Sequence, residues 1–196
     1  MRGILEQLAK EHNGALTYQW MIDAGITKRQ IRGFLADKSL EKVARGIYYH
    51  KDYLEDNMLI YQMENSNVIF SHESAAFLHG LTDRFPRKFS ITTHQNKHLN
   101  SAENMSIFYV KKDILNMGRI ETADDAGNRL ITYDRERTVC DLIRSKARIE
   151  LQVYNETIQN YFKSKTNLNL LSMYATQLGI KEEVKDIVYL MISCSR

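Results

Sequence analysis

No apolar run in this chain approaches the roughly 20 residues that a membrane-spanning helix needs, so no helical span is expected. The opening MRGILEQLAKEH sets charges inside its apolar pattern, which is not the core of a secretory leader. Cysteine is scarce. Cys140 and Cys194 stand alone, without metal or redox spacing, and suit a reducing cytoplasm better than a disulfide scaffold. The single proline and nine glycines leave no stretch for a long flexible linker. There is no glycine-rich phosphate loop, no nucleophile elbow, no low-complexity segment and no repeat of fixed period.

What is present suits a folded protein. Of the 196 residues, 43% are hydrophobic, enough for a core and too many for disorder. The length fits one mid-sized domain, or a small one followed by a larger one. Net charge is +3, and its placement says more than its size. Residues 1–50 carry eight Lys or Arg against five acids, which already accounts for +3; the remainder is neutral. A basic N-terminal segment on a neutral body is what attraction to a phosphate backbone requires. A mildly basic solvated surface is the plainer alternative.

The stretch from Ile26 to Tyr49, ITKRQIRGFLADKSLEKVARGIYY, favours the first reading. Thr27 is placed to cap a helix, and Gln30 sits three residues on, where a capping box wants Glu or Gln. Ile31, Phe34 and Leu35 recur at helical spacing and form one buried face. Lys28, Arg29, Gln30 and Arg32 fall mostly on the other faces, near the helix start, where a recognition helix meets bases and phosphates. After Ser39 the pattern becomes β-prone: Leu40, Val43, Ile47 and Tyr49 are apolar, with a turn at Gly46. Lys42 and Arg45 lie on or beside that hairpin. Upstream, residues 1–12 read as a helix striped by Ile4, Leu5, Leu8 and Ala9, ended by Asn13-Gly14. Thr17 caps a second helix, Tyr18 to Asp23. Helix, helix, turn, basic helix, hairpin is the order of a winged helix-turn-helix. Trp20 could stack on DNA, but is expected in the core beneath the recognition helix.

A domain boundary is expected near His50 to Asp56, giving a winged helix-turn-helix over 1–52 and a second domain over 53–196. A connecting helix runs from Leu54 or Asp56 to Asn65. Strands are expected at Val68–Phe70, Phe89–Thr93, Met105–Val110, Arg119–Thr122 and Leu130–Tyr133, the last two around a Gly127-Asn128 turn. Ser71 is expected to cap a helix over His72–His79. From Asp134, itself a candidate cap, the pattern turns helical, with later helices near 151–162, 168–178 and 182–192. The fold class is therefore α+β: an N-terminal winged helix-turn-helix, then a mixed α/β domain with a small sheet and a C-terminal helical region.

Two further stretches bear on function. One is Phe70-Ser71-His72-Glu73-Ser74-Ala75-Ala76-Phe77-Leu78-His79-Gly80-Leu81-Thr82, with Pro86 and the strand Phe89-Ser90-Ile91-Thr92-Thr93 after it. The other is Glu136-Arg137-Thr138-Val139-Cys140-Asp141-Leu142-Ile143-Arg144. Together with the Ala44-Arg45-Gly46-Ile47-Tyr48 wing, they resemble the AbiEi family of antitoxins from abortive phage-infection systems. The resemblance spans essentially the whole chain. It implies a two-domain protein; no catalytic residue, metal or cofactor is assigned from the residues, and the cytoplasmic expectation rests on the lone thiols. Its winged helix would bind inverted repeats in its own promoter and repress it. Its C-terminal domain would counter a nucleotidyltransferase-like toxin of the AbiEii type, in a type IV system that needs no stable complex. Two copies would fill the half-sites, as a preformed dimer or as monomers cooperating on DNA, and the lack of a long dimerisation helix favours the second.

The residues offer DNA contacts at Lys28, Arg29, Gln30, Arg32, Lys42 and Arg45. Arg reads guanine bidentately, Gln pairs with adenine, and Lys more often grips phosphate. A second class of reading is enzymatic. Asp134, Glu136 and Asp141 could hold a divalent cation for a nuclease or phosphotransferase; helix capping by acids is the alternative. His72-Glu73-x-x-Ala76 lacks the second histidine of a zincin, so His72 and His79 are expected in core or capping roles. Arg137 and Asp141, four residues apart, would make a surface pair, and Cys140 falls in the apolar pattern. Tyr161, Phe162, Leu171 and Tyr174 could contact the toxin directly, but core is the default.

Overall fold

The computed structural model describes residues 2–94, 99 and 102–193, and forms two compact units. The architecture is mixed α and β, with two small sheets. The first unit comprises Met1–Ser66 and the segment Ala123–Leu130; the second comprises Asn67–Thr122 and Ile131–Arg196. Cys194 lies outside the described residues.

In the first unit, helix α1 (Arg2–Glu11) leads into a short strand β1 (Ala15–Thr17). Helices α2 (Tyr18–Asp23) and α3 (Lys28–Ala36) follow, then strands β2 (Leu40–Ala44) and β3 (Ile47–His50). Helix α4 (Asn57–Glu64) completes it. The sheet has the order β1-β3-β2 and is antiparallel, with Leu16 opposite Tyr48 and Leu40 opposite His50. β1 is not expected from the sequence: at three residues it is too short to show alternation, and β3 supplies its partner. Gly14 just before it is obligatory. Its φ is +85°, and a Cβ there would lie 2.4 Å from Cβ of Tyr53.

One core closes this unit: Leu5 and Ala9 of α1, Leu16, Met21, Ile26, Ile31, Phe34, Leu40 and Tyr48. The α1 stripe is narrower than its pattern, since Ile4 is exposed. The unit also runs past the expected boundary at residue 52. Asp56 caps α4 by accepting from the amides of Met58 and Leu59, and its own amide donates to the Tyr49 hydroxyl. Ile60 of α4 packs with Ala15 and Tyr49. These contacts bind α4 to the first sheet, whereas the polar stretch before it suggested a break.

The second unit is built on a five-stranded sheet of order β6-β5-β4-β8-β7. Its strands are β4 (Ile69–Phe70), β5 (Phe89–His94), β6 (Met105–Val110), β7 (Arg119–Ala123) and β8 (Arg129–Tyr133). β4 runs antiparallel to β5 and parallel to β8, and β5 runs parallel to β6. Helix α5 (His72–Leu78) follows β4, and the short α6 (Lys112–Leu115) follows β6. After β8 come α7 (Arg135–Arg144), α8 (Leu151–Lys163), α9 (Leu168–Leu178) and α10 (Lys181–Ser193). No helix among the described residues is long and apolar enough to cross a membrane.

Helix α7 is the axis of this unit. Val139, Cys140 and Leu142 are fully buried and join Tyr161 of α8 and Leu171, Tyr174 and Ala175 of α9 in one core. Tyr161, Leu171 and Tyr174 are thus core, and Phe162 is half-buried against it. Cys140 is core too; its thiol lies 3.7 Å from the Leu171 carbonyl, and burial pushes it up to about 12.

Candidate nucleic-acid interface

Helix α3 begins as its sequence dictates. The Thr27 amide donates to the Gln30 side-chain oxygen at 2.8 Å, and the Gln30 amide donates back to the Thr27 hydroxyl. This reciprocal box satisfies two amides that the first turn would otherwise leave free. Ile31 and Phe34 point into the core, with Leu35 half-buried beside them. Rotation by about 100° per residue then sends Lys28, Arg29 and Arg32 outward, and all three are exposed. Gln30 is half-buried, and its carbonyl oxygen is committed to Thr27, which leaves its amide NH₂ as the group able to face a ligand.

The β2–β3 hairpin is fixed from behind. Gly46, at φ +76°, turns the chain, and its carbonyl accepts from the amide of Tyr18 at 2.8 Å. The tip is thus tied to the start of α2 while Lys42 and Arg45 remain exposed. A register shift between Lys42 and Ala44 interrupts the ladder. α3 packs on β2.

The charges around α3 divide into spent and unspent. At the helix end, Asp37 accepts from the amide of Ser39 and from Arg2 at 2.9 Å. The bonds to Ser39, and then Arg2, hold its carboxyl below the usual range. Arg2 is therefore engaged. Lys28, Arg29, Arg32, Lys42 and Arg45 make no hydrogen bond or ion pair among the described residues. Five cations on one helix and one hairpin, all exposed and none neutralised by the fold, form a surface suited to phosphate and base contact.

Trp20 does not lie beneath α3. Its neighbour Met21 takes the core position on α2, and Trp20, one residue round the helix, is 39% exposed. Its ring stacks on His12 with centroids 4.2 Å apart. Together with Leu59 and Met63 it lines a cavity of about 370 Å³ in the first unit.

Sequence reasoning missed a polar network in this unit. Asp56 accepts from the Asn128 side chain at 2.8 Å, and Asn128 also donates to Asp124 and accepts from Asn13. Burial, and then a hydrogen bond shared with Asp124, raise the Asp56 carboxyl to about 6. Burial also pushes Asp124 upward, but its bonds to Asp56 and Asn128 outweigh this and lower it. Below about pH 6 a proton on Asp56 is therefore shared with Asp124. Sixty-eight residues of sequence separate them, so no local signal links them.

In the second unit the three acids of the enzymatic reading hold separate structural posts. Asp134 caps α7 through the Arg137 amide and accepts from the Tyr174 hydroxyl at 2.8 Å. Glu136 accepts from the Tyr161 hydroxyl and the Asn167 amide. Asp141 takes Arg137 Nε at 3.0 Å, and both residues are fully buried, so this is a core pair and not the expected surface pair. Arg137 also donates to the carbonyls of Ile114 and Met117, and its guanidinium lies 4.3 Å over the ring of Tyr133. Among the described residues no group of three His, Cys, Asp or Glu is placed to hold a metal ion.

His72 and His79 are structural fixtures, the first buried and the second half-buried. His72 stacks on Phe108 at 3.5 Å, between the hydroxyls of Ser71 and Ser145, and burial drives it well below its ordinary value. Ser71 occupies the N-cap position of α5, but its hydroxyl bonds His72 and Thr92 instead of the helix amides, contrary to expectation. The His79 ring lies 2.6 Å from the Tyr133 carbonyl.

No family model matches the chain, and no curated protein does either. Among solved structures it is similar to the RV2827C protein from Mycobacterium tuberculosis, with a TM-score of 0.61. The match covers 88% of this chain and 70% of that one, at 14% identity, and shows a shared fold.

Proposed function

We propose that this chain is a sequence-specific DNA-binding repressor of its own promoter, and the antitoxin of a toxin–antitoxin pair. The observation that carries the DNA-binding reading is the set of five exposed, unneutralised cations on α3 and the β2–β3 hairpin. In this reading α1, α2 and α3 with the β2–β3 hairpin are a winged helix-turn-helix. α3 enters the major groove, with Arg29 and Arg32 at base edges, Lys28 at phosphate and the Gln30 NH₂ within reach. Lys42 and Arg45 grip the backbone from the wing. The capping box and the Gly46 tether hold both elements in place before binding, so little ordering entropy is lost on DNA.

The antitoxin role rests on the resemblance to the AbiEi family carried by residues 70–82, 136–144 and the wing. The second unit would then oppose a nucleotidyltransferase-like toxin, in the cytoplasm, without needing a stable complex. Its aromatic residues Tyr161 and Tyr174 serve the core, which supports indirect action over docking through them. The enzymatic alternative is weaker, because Asp134, Glu136 and Asp141 are each occupied by a different protein partner.

The test is a gel shift on the DNA upstream of the gene, against a scrambled version of its inverted repeat. Preferential binding to the intact repeat, by monomers that fill both half-sites cooperatively, is the expected result. Equal affinity for both sequences would rule out specific repression.

A further inference from the structure

A second cationic surface lies wholly within the other unit. Residues 84–88 read Arg-Phe-Pro-Arg-Lys. Phe85 is 61% exposed, yet its ring is not loose: Phe77 and Phe89 meet it edge to face, at 5.2 and 5.8 Å. Pro86 is buried and pins the loop between the two cations. An aromatic ring held rigid while more than half its surface meets water is a stacking platform in search of a planar partner.

The ring borders a cavity of about 380 Å³, the size of a small-ligand site. Arg84, Arg87, Lys88 and Arg148 line it, against the acids Glu73 and Glu150. Glu73 is occupied by the Ser90 hydroxyl and the Glu150 amide. Arg84 pairs with Glu156 at 3.5 Å, and Arg148 lies over Phe108 and donates to the Ile107 carbonyl. Arg87 and Lys88 make no hydrogen bond or ion pair among the described residues. The cavity thus combines free cations with a fixed apolar ring.

We propose that this cavity binds a nucleotide unit, its base stacked on Phe85 and its phosphate held by Arg87 and Lys88, with Arg148 beside them. An acidic peptide would satisfy the cations but leave the ring without use; a nucleotide satisfies both. The unit is either a free nucleotide or one residue of an unpaired strand.

The test uses the full chain carrying Arg29→Ala and Arg45→Ala, so that the α3 surface does not capture the probe. A fluorescein-labelled short single-stranded RNA is titrated by polarisation, with adenosine monophosphate, guanosine monophosphate and inorganic phosphate as competitors. Saturable binding is expected, weakened about tenfold by Phe85→Ala, as loss of a stacked base predicts, and at least as much by Arg87→Glu with Lys88→Glu. Phe85→Tyr should keep binding. Ultraviolet cross-linking of the unsubstituted chain should place the probe on the peptide that contains Phe85. Competition by the monophosphates would identify a free nucleotide as ligand; binding of the strand without such competition would identify an unpaired strand. No saturable binding, inorganic phosphate competing as well as the nucleotides, or equal affinity in the Phe85→Ala and charge-reversed chains would each overturn the proposal.

Discussion

Arg137 and Arg29 are the same residue type put to opposite uses. Arg137 has no exposed surface; a carboxylate, two carbonyls and a tyrosine ring surround its guanidinium. Arg29 sits on a solvated helix face and touches no described partner. A cation taken out of water must be paired, because an isolated buried charge costs several kcal/mol or more. Arg137 is consumed in that way, and its charge serves the fold alone. Arg29, Arg32 and Arg45 contribute nothing of the kind, so their charge remains available to a ligand. The comparison separates the cations that hold this protein together from those that serve its surroundings.

The largest effect should come from breaking the consumed pair. Arg137→Ala leaves Asp141 buried without its cation, so that its carboxyl must take up a proton, and should cost about 3–5 kcal/mol in urea unfolding. Replacing both partners, as Arg137→Met with Asp141→Leu, should recover much of that loss; no recovery would mean that the carbonyl bonds of Arg137 dominate. Next is Gly118→Ala. Gly118 has φ +76°, and a Cβ there would lie 2.7 Å from Cβ of Arg137. A loss of about 1–3 kcal/mol is expected from strain and contact, read as a lowered thermal midpoint.

The Asp56–Asp124 pair sharpens the comparison through pH. The Asp56 carboxyl, raised to about 6, binds its proton more tightly folded than unfolded. It therefore contributes stability below its unfolded pKa near 4, and that contribution is lost as pH rises through about 6. Asp124, held low, acts in the opposite direction, its contribution present at neutral pH and lost in acid. Asp56→Asn keeps a capping side chain and removes the first titration. Between pH 5 and 7.5 it should flatten the decline in stability by on the order of 1 kcal/mol, after discounting for partial exposure. Urea midpoints at the two pH values measure this. Smaller in stability is Thr27→Ala, which removes half of the α3 capping box and should cost about 1 kcal/mol. It should also weaken DNA binding modestly, since the cations near the helix start depend on that turn.

Much of this was legible beforehand because it is local. Thr27 and Gln30 sit at capping-box spacing, Ile31 and Phe34 at helical spacing, and Asp134 just ahead of a helix, so these caps and faces followed from the residues themselves. The β-branched and aromatic runs located all five strands of the second sheet and β2 and β3 of the first. What escaped was set by distant partners. β1 exists because β3 lies beside it. Trp20 looked like core by its size, but Met21 holds that position. An i, i+4 Arg–Asp spacing says nothing about depth, and Arg137 is buried because carbonyls of residues 114 and 117 converge on it. Phe85 stands among cations in the sequence, and its fixed ring depends on Phe77 and Phe89, which no local pattern links to it.

The most direct test of the division between consumed and available charge is a double measurement on one variant, Arg29→Ala with Arg45→Ala. Both side chains are exposed and unpartnered, so unfolding stability should stay within about 0.5 kcal/mol of the unsubstituted chain. Binding to the upstream DNA over a salt series should weaken by about 1–3 kcal/mol for each arginine at a base edge, with a shallower salt dependence where a phosphate contact is lost. Unchanged stability with lost specific binding is the predicted result. Unchanged binding would contradict the account, and would leave α3 and its hairpin as a solvated basic surface.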